Sequence, residues 1–226
     1  MSGHRPTILG FDLDGTLVDT AAEIAEAANL ALQDVGLAPR PVPAIEKLIG
    51  AGTRELMLRL LRSAPGAAEK VDADPALARF AFHYTAIAGT SCQPYEGCVA
   101  ALDRLRAGGV RLACLTNKEE RYSRSILEAV RIDAFFDVLV GGDTLPVRKP
   151  DRRVVEHVLL CLRGSAAAMA HVGDSATDVQ TARNAGIAAW VVPYGYNGGE
   201  PIESARPDRI FANLAAVADH VLDVRP

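Results

Sequence analysis

The run Thr7-Ile8-Leu9-Gly10-Phe11-Asp12-Leu13-Asp14-Gly15-Thr16 decides the fold. A short, nearly continuous apolar stretch stops abruptly in two aspartates, a glycine and a threonine. This is the texture of a strand buried on both faces of a parallel sheet, with polar groups delivered at its carboxyl end. Similar runs recur at residues 110–115, 136–140, 168–172 and 188–192, and a weaker sixth lies at 209–211. Helical patterns at 121–130, 153–162, 178–185 and 214–222 fall between or after them. Strand alternating with helix predicts an α/β core, a doubly wound, Rossmann-like parallel sheet.

One interval breaks the alternation. Residues 20–89 contain no convincing strand, only helical stretches at 21–35, 44–49, 54–61 and 75–87, punctuated by Pro39, Pro41, Pro43 and Gly50-Ala51-Gly52. The expectation is an all-helical cap domain at residues 18–90, inserted into a core made of 1–17 and 91–226. Hinges are expected near residues 17–20 and 89–94, so that the cap closes over a site at the sheet's edge. A helix at 98–107 then resumes the core.

Composition narrows the class. In 226 residues, hydrophobic side chains make up 49% and charged ones 23%, which is enough apolar material for a substantial core and excludes disorder as the dominant state. Lys plus Arg number 24 against 28 Asp plus Glu, a net charge of −4, and aromatics are only 5%. Neither a basic face nor a base-stacking platform is indicated, so no nucleic-acid partner is expected. The first apolar run is too short for a signal-peptide core, and no later segment is long enough to span a bilayer. Cys92, Cys98, Cys114 and Cys161 show no CxxC spacing and read as inert or buried thiols. A cytoplasmic protein, monomeric or a small homo-oligomer and without a membrane partner, is the expectation.

In an open α/β sheet, ligands bind beyond the carboxyl ends of the strands. Those ends carry Asp12 and Asp14, Thr116-Asn117, Gly141-Gly142-Asp143 with Lys149-Pro150 following, and Gly173-Asp174-Ser175 with Asp178 one helical turn on. Four carboxylates would meet at one place. Like charges ~4 Å apart repel by about 4 kcal/mol per pair at an effective dielectric near 20, so one lysine is not sufficient and a cation is called for. Oxygen donors without clustered His or Cys point to Mg²⁺. A dianionic phosphate is the ligand such a centre suits, with Lys149 and the Thr116 hydroxyl around its oxygens while a carboxylate attacks phosphorus.

The ordered set Asp12-Leu13-Asp14-Gly15-Thr16-Leu17-Val18-Asp19-Thr20, Thr116-Asn117, Lys149-Pro150 and Gly173-Asp174-Ser175-Ala176-Thr177-Asp178 resembles the four motifs of the haloacid-dehalogenase-like hydrolase superfamily. The resemblance covers nearly the whole chain. Gly50-Ala51-Gly52, Gly141-Gly142-Asp143-Thr144-Leu145-Pro146 and Tyr194-Gly195-Tyr196-Asn197 are similar to features of its bacterial phosphoglycolate phosphatases. It implies Asp12 as nucleophile, Asp14 as general acid and then base, and Asp12, the backbone carbonyl of Asp14, and Asp174 as Mg²⁺ ligands supported by Asp178. It implies further that Thr116, Asn117 and Lys149 bind the phosphoryl group of a small phosphorylated metabolite, 2-phosphoglycolate. One departure is that Lys149-Pro150-Asp151-Arg152 lacks the second proline of the family's Lys-Pro-x-Pro.

Other activities remain open on the residues: a phosphatase of another metabolite such as a sugar phosphate, or a phosphosugar mutase. Dehalogenation is disfavoured because it has no need of Asp14, and a phosphate-holding signalling module is disfavoured because Asp14 would discharge it. For the carboxylate of phosphoglycolate, Arg54 at the start of a cap helix is the candidate counter-charge. His171 is expected in the sheet interior, Trp190 in the core, Glu119-Glu120-Arg121 at an exposed helix start, and His4, His83, His157 and His220 in surface or packing roles.

Overall fold

The computed structural model describes residues 5–63 and 72–222; His4 and the extreme ends of the expected core lie outside the described residues. The first half of the chain runs β1 (Ile8–Phe11), β2 (Val18–Asp19), α1 (Ala21–Asp34), α2 (Val42–Glu46), α3 (Thr53–Arg62), α4 (Asp74–Ile87), β3 (Gln93–Pro94) and α5 (Cys98–Ala107). It continues through β4 (Arg111–Leu115), α6 (Glu120–Ala129), β5 (Val138–Val140), α7 (Arg153–Cys161), β6 (Met169–Gly173), α8 (Ala176–Ala185), β7 (Ala188–Val191), β8 (Arg209–Ile210) and α9 (Leu214–Leu222).

Six strands form one sheet in the order β5-β4-β1-β6-β7-β8, parallel throughout. Side chains alternate between its faces, as the two-residue period of a strand requires. Leu9, Phe11, Leu112, Cys114, Val172 and Trp190 join Leu102 and Leu105 of α5 and Val217 and Val221 of α9. Ile8, Ala113, Leu115, Met169 and Val191 join Val155 and Val158 of α7 and Val179 and Ala182 of α8. This two-sided burial is why the strands read as continuous apolar runs. The chain steps outward from β1 to β5, then returns past β1 to β6 and on to β8. The reversal leaves a crevice at the carboxyl end of β1, where Asp12 follows Phe11.

The helices between β2 and β3 bury their own cluster, including Ile24, Ala28 and Leu32 of α1, Leu56, Met57 and Leu60 of α3, and Phe80 and Tyr84 of α4. Its exit and return are bound together. β2 and β3 pair antiparallel, Val18 with Pro94 and Asp19 with Gln93. Beside them Glu23, fully buried in the first turn of α1, accepts hydrogen bonds from three backbone N–H groups of the returning chain. Its Oε1 takes Ser91 at 2.6 Å and Cys92 at 2.9 Å, and its Oε2 takes Gly89 at 3.0 Å. Removing it leaves three N–H groups without this partner, that of Cys92 buried, and a buried donor left unsatisfied costs about 1–3 kcal/mol. Glu23→Ala should therefore lower stability by about 2–4 kcal/mol, and Glu23→Gln by less. A urea midpoint for Glu23→Ala equal to that of the parent would disprove the clamp.

The strand ends differ by a residue or two from the sequence reading, and two details have physical causes. Helix α2 begins at Val42, ahead of Pro43, because a proline is tolerated in a first turn where its missing N–H has no partner to lose. The ribbon of β2 and β3, two residues a side, is too short to leave a periodic signature. Cys92, Cys98 and Cys114 are buried thiols, whereas Cys161 is exposed.

Candidate active site

Asp12 stands at the crevice, nearly buried. Its Oδ1 accepts the backbone N–H of Leu13 at 2.8 Å and lies 2.8 Å from Lys149 Nζ; its second oxygen is tied by neither. Lys149 comes from the loop between β5 and α7 and also donates to Asp178 Oδ1 at 2.7 Å. Asp178, in the first turn of α8, is saturated: Oδ1 also meets His171 Nε2 at 2.9 Å, and Oδ2 accepts the Ser175 hydroxyl at 2.6 Å and the Ser175 N–H at 3.2 Å. Burial alone would raise the pKa of Asp178, but Lys149 and His171 hold it below the usual carboxylate range. His171, in the sheet interior as expected, thus has a polar task too.

Asp174, at the end of β6, accepts the Thr16 hydroxyl at 2.8 Å on Oδ1 and the Tyr196 N–H at 2.7 Å on Oδ2. No lysine or arginine among the described residues pairs with it. Gly15, at φ +81°, and Gly195 press backbone against this carboxylate, and a Cβ on either would overlap its oxygen. Oxygens of Asp12, Asp174 and Asp178 all lie within 4.8 Å of one another. Burial, helped by the neighbouring carboxylates, raises Asp174 well above its ordinary range, and burial raises Asp12 to about 6 despite Lys149. Two under-compensated carboxylates among hard oxygen donors fit a divalent cation such as Mg²⁺.

Asp14 faces elsewhere, so its carboxylate is not part of that cluster. Its Oδ1 accepts the Thr20 hydroxyl at 2.6 Å, and its Oδ2 pairs at 3.1 Å with Lys118 Nζ. Only the backbone carbonyl of Asp14 is left as a metal donor from this residue. Lys118 is the residue the sequence reading missed, and with it the count of one lysine is corrected to two. It is buried, donates to the Tyr84 hydroxyl of α4 at 2.8 Å, and sits 4.7 Å from the centre of that ring. Burial would lower the pKa of this ammonium, but Asp14 and Tyr84 push it above the ordinary lysine value. Its only sequence signal is its place after Thr116-Asn117, because burial depends on a tyrosine far away in the chain.

The helical block lies over these groups and leaves a narrow, partly open cleft between them. The core contributes Asp12, Asp14, Thr116, Asn117 and Lys118, and the helical side contributes Ile24, Ile49, Gly50, Gly52, Thr53, Leu56 and Phe80. Two bonds bridge the rim: Asn117 Nδ2 donates to Gly50 O at 3.0 Å, and the Thr53 hydroxyl donates to Glu119 Oε2 at 2.9 Å. Asn117 Nδ2 also reaches Lys149 O at 3.2 Å. Its amide nitrogen is thus engaged by two backbone oxygens, so a phosphate contact from that nitrogen would have to displace one of them, while the buried Oδ1 has no hydrogen-bond partner among the described residues. Glu119 is half-buried in this contact rather than part of an exposed helix start.

Arg54 is a second correction. It does not line the cleft; its side chain is 58% exposed and pairs with Asp74 at 3.0 Å. At 100° per residue Arg54 sits about 160° from Leu56 but only about 60° from Met57, on the flank of the inward face that Leu56, Met57, Leu60 and Leu61 define, and there it meets Asp74. Among the other expectations, Trp190 is core, ringed by Phe211 and His220, and His83 bonds Asp34 at 2.6 Å.

The chain is similar to known proteins over most of its length. Residues 9–192 match the model of the haloacid dehalogenase-like hydrolases. A plasmid-borne phosphoglycolate phosphatase of Cupriavidus necator is 41% identical over 211 residues, covering 93% of this chain and 91% of that protein. The phosphoglycolate phosphatase of Nitrosospira multiformis is 37% identical, with 90% of each chain covered. Among solved structures, a predicted phosphoglycolate phosphatase from Haemophilus somnus 129PT superposes with a TM-score of 0.90 at 31% identity, covering 98% of this chain and 99% of the other. With the match spanning both the sheet and the carboxylate cluster, the chain belongs to the haloacid dehalogenase-like hydrolase family and is one of its phosphoric monoester hydrolases.

Proposed function

We propose that the chain hydrolyses 2-phosphoglycolate to glycolate and phosphate, with Mg²⁺, by way of a phosphoryl group carried on Asp12. The observation that carries this reading is Asp12 itself: one oxygen is fixed by Leu13 N–H and Lys149, the other is tied by neither, and Asp14 stands two residues away on the same cleft. The phosphoglycolate phosphatases that align over most of the chain support the substrate.

In the first step an Asp12 oxygen bonds to phosphorus as the ester P–O bond breaks, and Asp14 gives its proton to the leaving alkoxide. In the second step Asp14 takes a proton from water, whose oxygen bonds to phosphorus, and the Asp12 carboxylate is released with inorganic phosphate. Lys149 and the Thr116 hydroxyl hold the phosphoryl oxygens, and Asp178 keeps Lys149 in place. Asp12, Asp174 and the Asp14 carbonyl are the residues that would hold Mg²⁺, which supplies positive charge against those oxygens. The helices within residues 18–90 serve as the cap, hinged at the β2–β3 ribbon, and exclude bulk water while Asp12 is phosphorylated. The apolar part of the cleft wall suits that task.

Phosphate release from a panel of phosphorylated metabolites tests the reading. Phosphoglycolate should give the highest kcat/KM, and a clear preference for neutral sugar phosphates would overturn the substrate assignment. A requirement for a bisphosphate primer would point to a mutase instead. Exhaustive chelation should lower the rate at least about 100-fold, with recovery on adding Mg²⁺. Ca²⁺ should restore little, since it takes more ligands at longer distances and would compete for the Asp12 oxygen that the reaction needs. Full activity after chelation would remove the metal from the mechanism.

A further inference from the structure

A substrate whose leaving group carries its own carboxylate brings a second negative charge into a cleft already walled by Asp12 and Asp14. Arg54 is turned away from that space, and among the described residues lining the cleft Lys118 is the one lysine or arginine. Its ammonium has three N–H groups; Asp14 Oδ2 at 3.1 Å and the Tyr84 hydroxyl at 2.8 Å account for two. Lys149 shows what a buried lysine does in this site, spanning two carboxylates at 2.8 and 2.7 Å.

We infer that Lys118, steadied by Tyr84 of the cap, binds a carboxylate on the leaving group and so selects phosphomonoesters whose alcohol bears a carboxylate close to the ester oxygen. The inference rests on the functional reading above, in which Asp14 protonates that oxygen. In glycolate the carboxylate carbon is two bonds from the same oxygen. A cation one hydrogen bond beyond Asp14 therefore stands within reach of it. The remaining wall near Lys118, with Ile24, Leu56 and Phe80, offers no other charge, and an unpaired carboxylate against it would carry a desolvation penalty. Tyr84 ties this recognition to the cap, because its hydroxyl and ring hold the ammonium from α4.

The test is a matched pair of substrates, phosphoglycolate and ethyl phosphate, in which a methyl group replaces the carboxylate. In Lys118→Met, kcat/KM should fall about 10- to 100-fold more for phosphoglycolate than for ethyl phosphate, the range expected for a lost charge-assisted hydrogen bond. The excess should fall on KM. Competitive inhibition by glycolate should weaken by a similar factor, and inhibition by inorganic phosphate by much less. Tyr84→Phe should move the substrate ratio the same way by a smaller factor. Should Lys118→Met not fold, Lys118→Gln and Tyr84→Phe give the same readout.

Equal losses on both substrates would overturn the role of Lys118 while leaving the phosphatase reading intact. Loss of selectivity in Arg148→Ala, near Gly52 at the rim, with an unchanged ratio in the Lys118 variants would likewise move recognition elsewhere. A parent enzyme that does not prefer phosphoglycolate to ethyl phosphate would overturn the functional reading itself.

Discussion

Asp12→Asn is expected to leave a folded protein whose phosphate release is lower by about 10⁴-fold or more. An amide keeps the shape of the carboxylate and can still accept the Leu13 N–H, while Lys149 retains Asp178. It lacks the anionic oxygen that the proposed route bonds to phosphorus, and no other group at the cleft is placed to replace that oxygen. Phosphate monoesters hydrolyse so slowly unaided that the full enhancement reaches ~10²¹, so a lost covalent route cannot be masked by residual binding. The measurement is phosphate release from preparations controlled for contaminating phosphatase, alongside an unfolding curve. A rate above about 1% of the parent's would be irreconcilable with loss of a nucleophile.

Lys149→Met should damage both stability and turnover. The ammonium is almost wholly buried and spans Asp12 and Asp178, so the variant leaves two buried carboxylates facing each other without it. Breaking a buried ion pair from one side costs about 3–5 kcal/mol. The denaturant midpoint should fall accordingly with the slope of the transition unchanged, because the surface exposed on unfolding is the same. Burial alone would depress the pKa of this lysine, but the two aspartates raise it, so the parent carries the charge throughout the neutral range. A midpoint equal to the parent's would show that Lys149 is not the residue neutralising this centre.

The parts legible in the sequence were those with a local physical signature. Strands β1, β4, β6 and β7 announced themselves because a sheet covered on both faces demands unbroken apolar runs. Asp12, Thr116, Lys149 and Asp174 could be picked out because topology places strand ends together. What stayed hidden depends on contacts between distant parts of the chain. Lys118 looks like a solvated loop lysine until Tyr84 is packed over it, and Glu23 looks like an ordinary exposed helix-start acid until the chain returns with Gly89, Ser91 and Cys92. Arg54 failed for a related reason: a helix start near a cleft gives its position, but the inward face is set by Leu56, Met57 and Leu60 downstream. Asn117 was placed at the cleft correctly, yet its amide serves Gly50 O and Lys149 O.

The pairing of Val18 with Pro94 and Asp19 with Gln93 has an architectural consequence. The chain leaves the sheet and comes back through two neighbouring points, so from the sheet's side the insertion is a loop whose ends already meet. The entropy of closing a loop rises only with the logarithm of its length, about 0.6 kcal/mol per doubling. A longer, shorter or wholly different set of helices grafted between those two points would alter little of what β1 experiences. Asp12 and the helices above it therefore sit on parts of the chain that can be exchanged one against the other, provided the graft supplies new partners for the Lys118 ammonium and for the clamp on residues 89, 91 and 92.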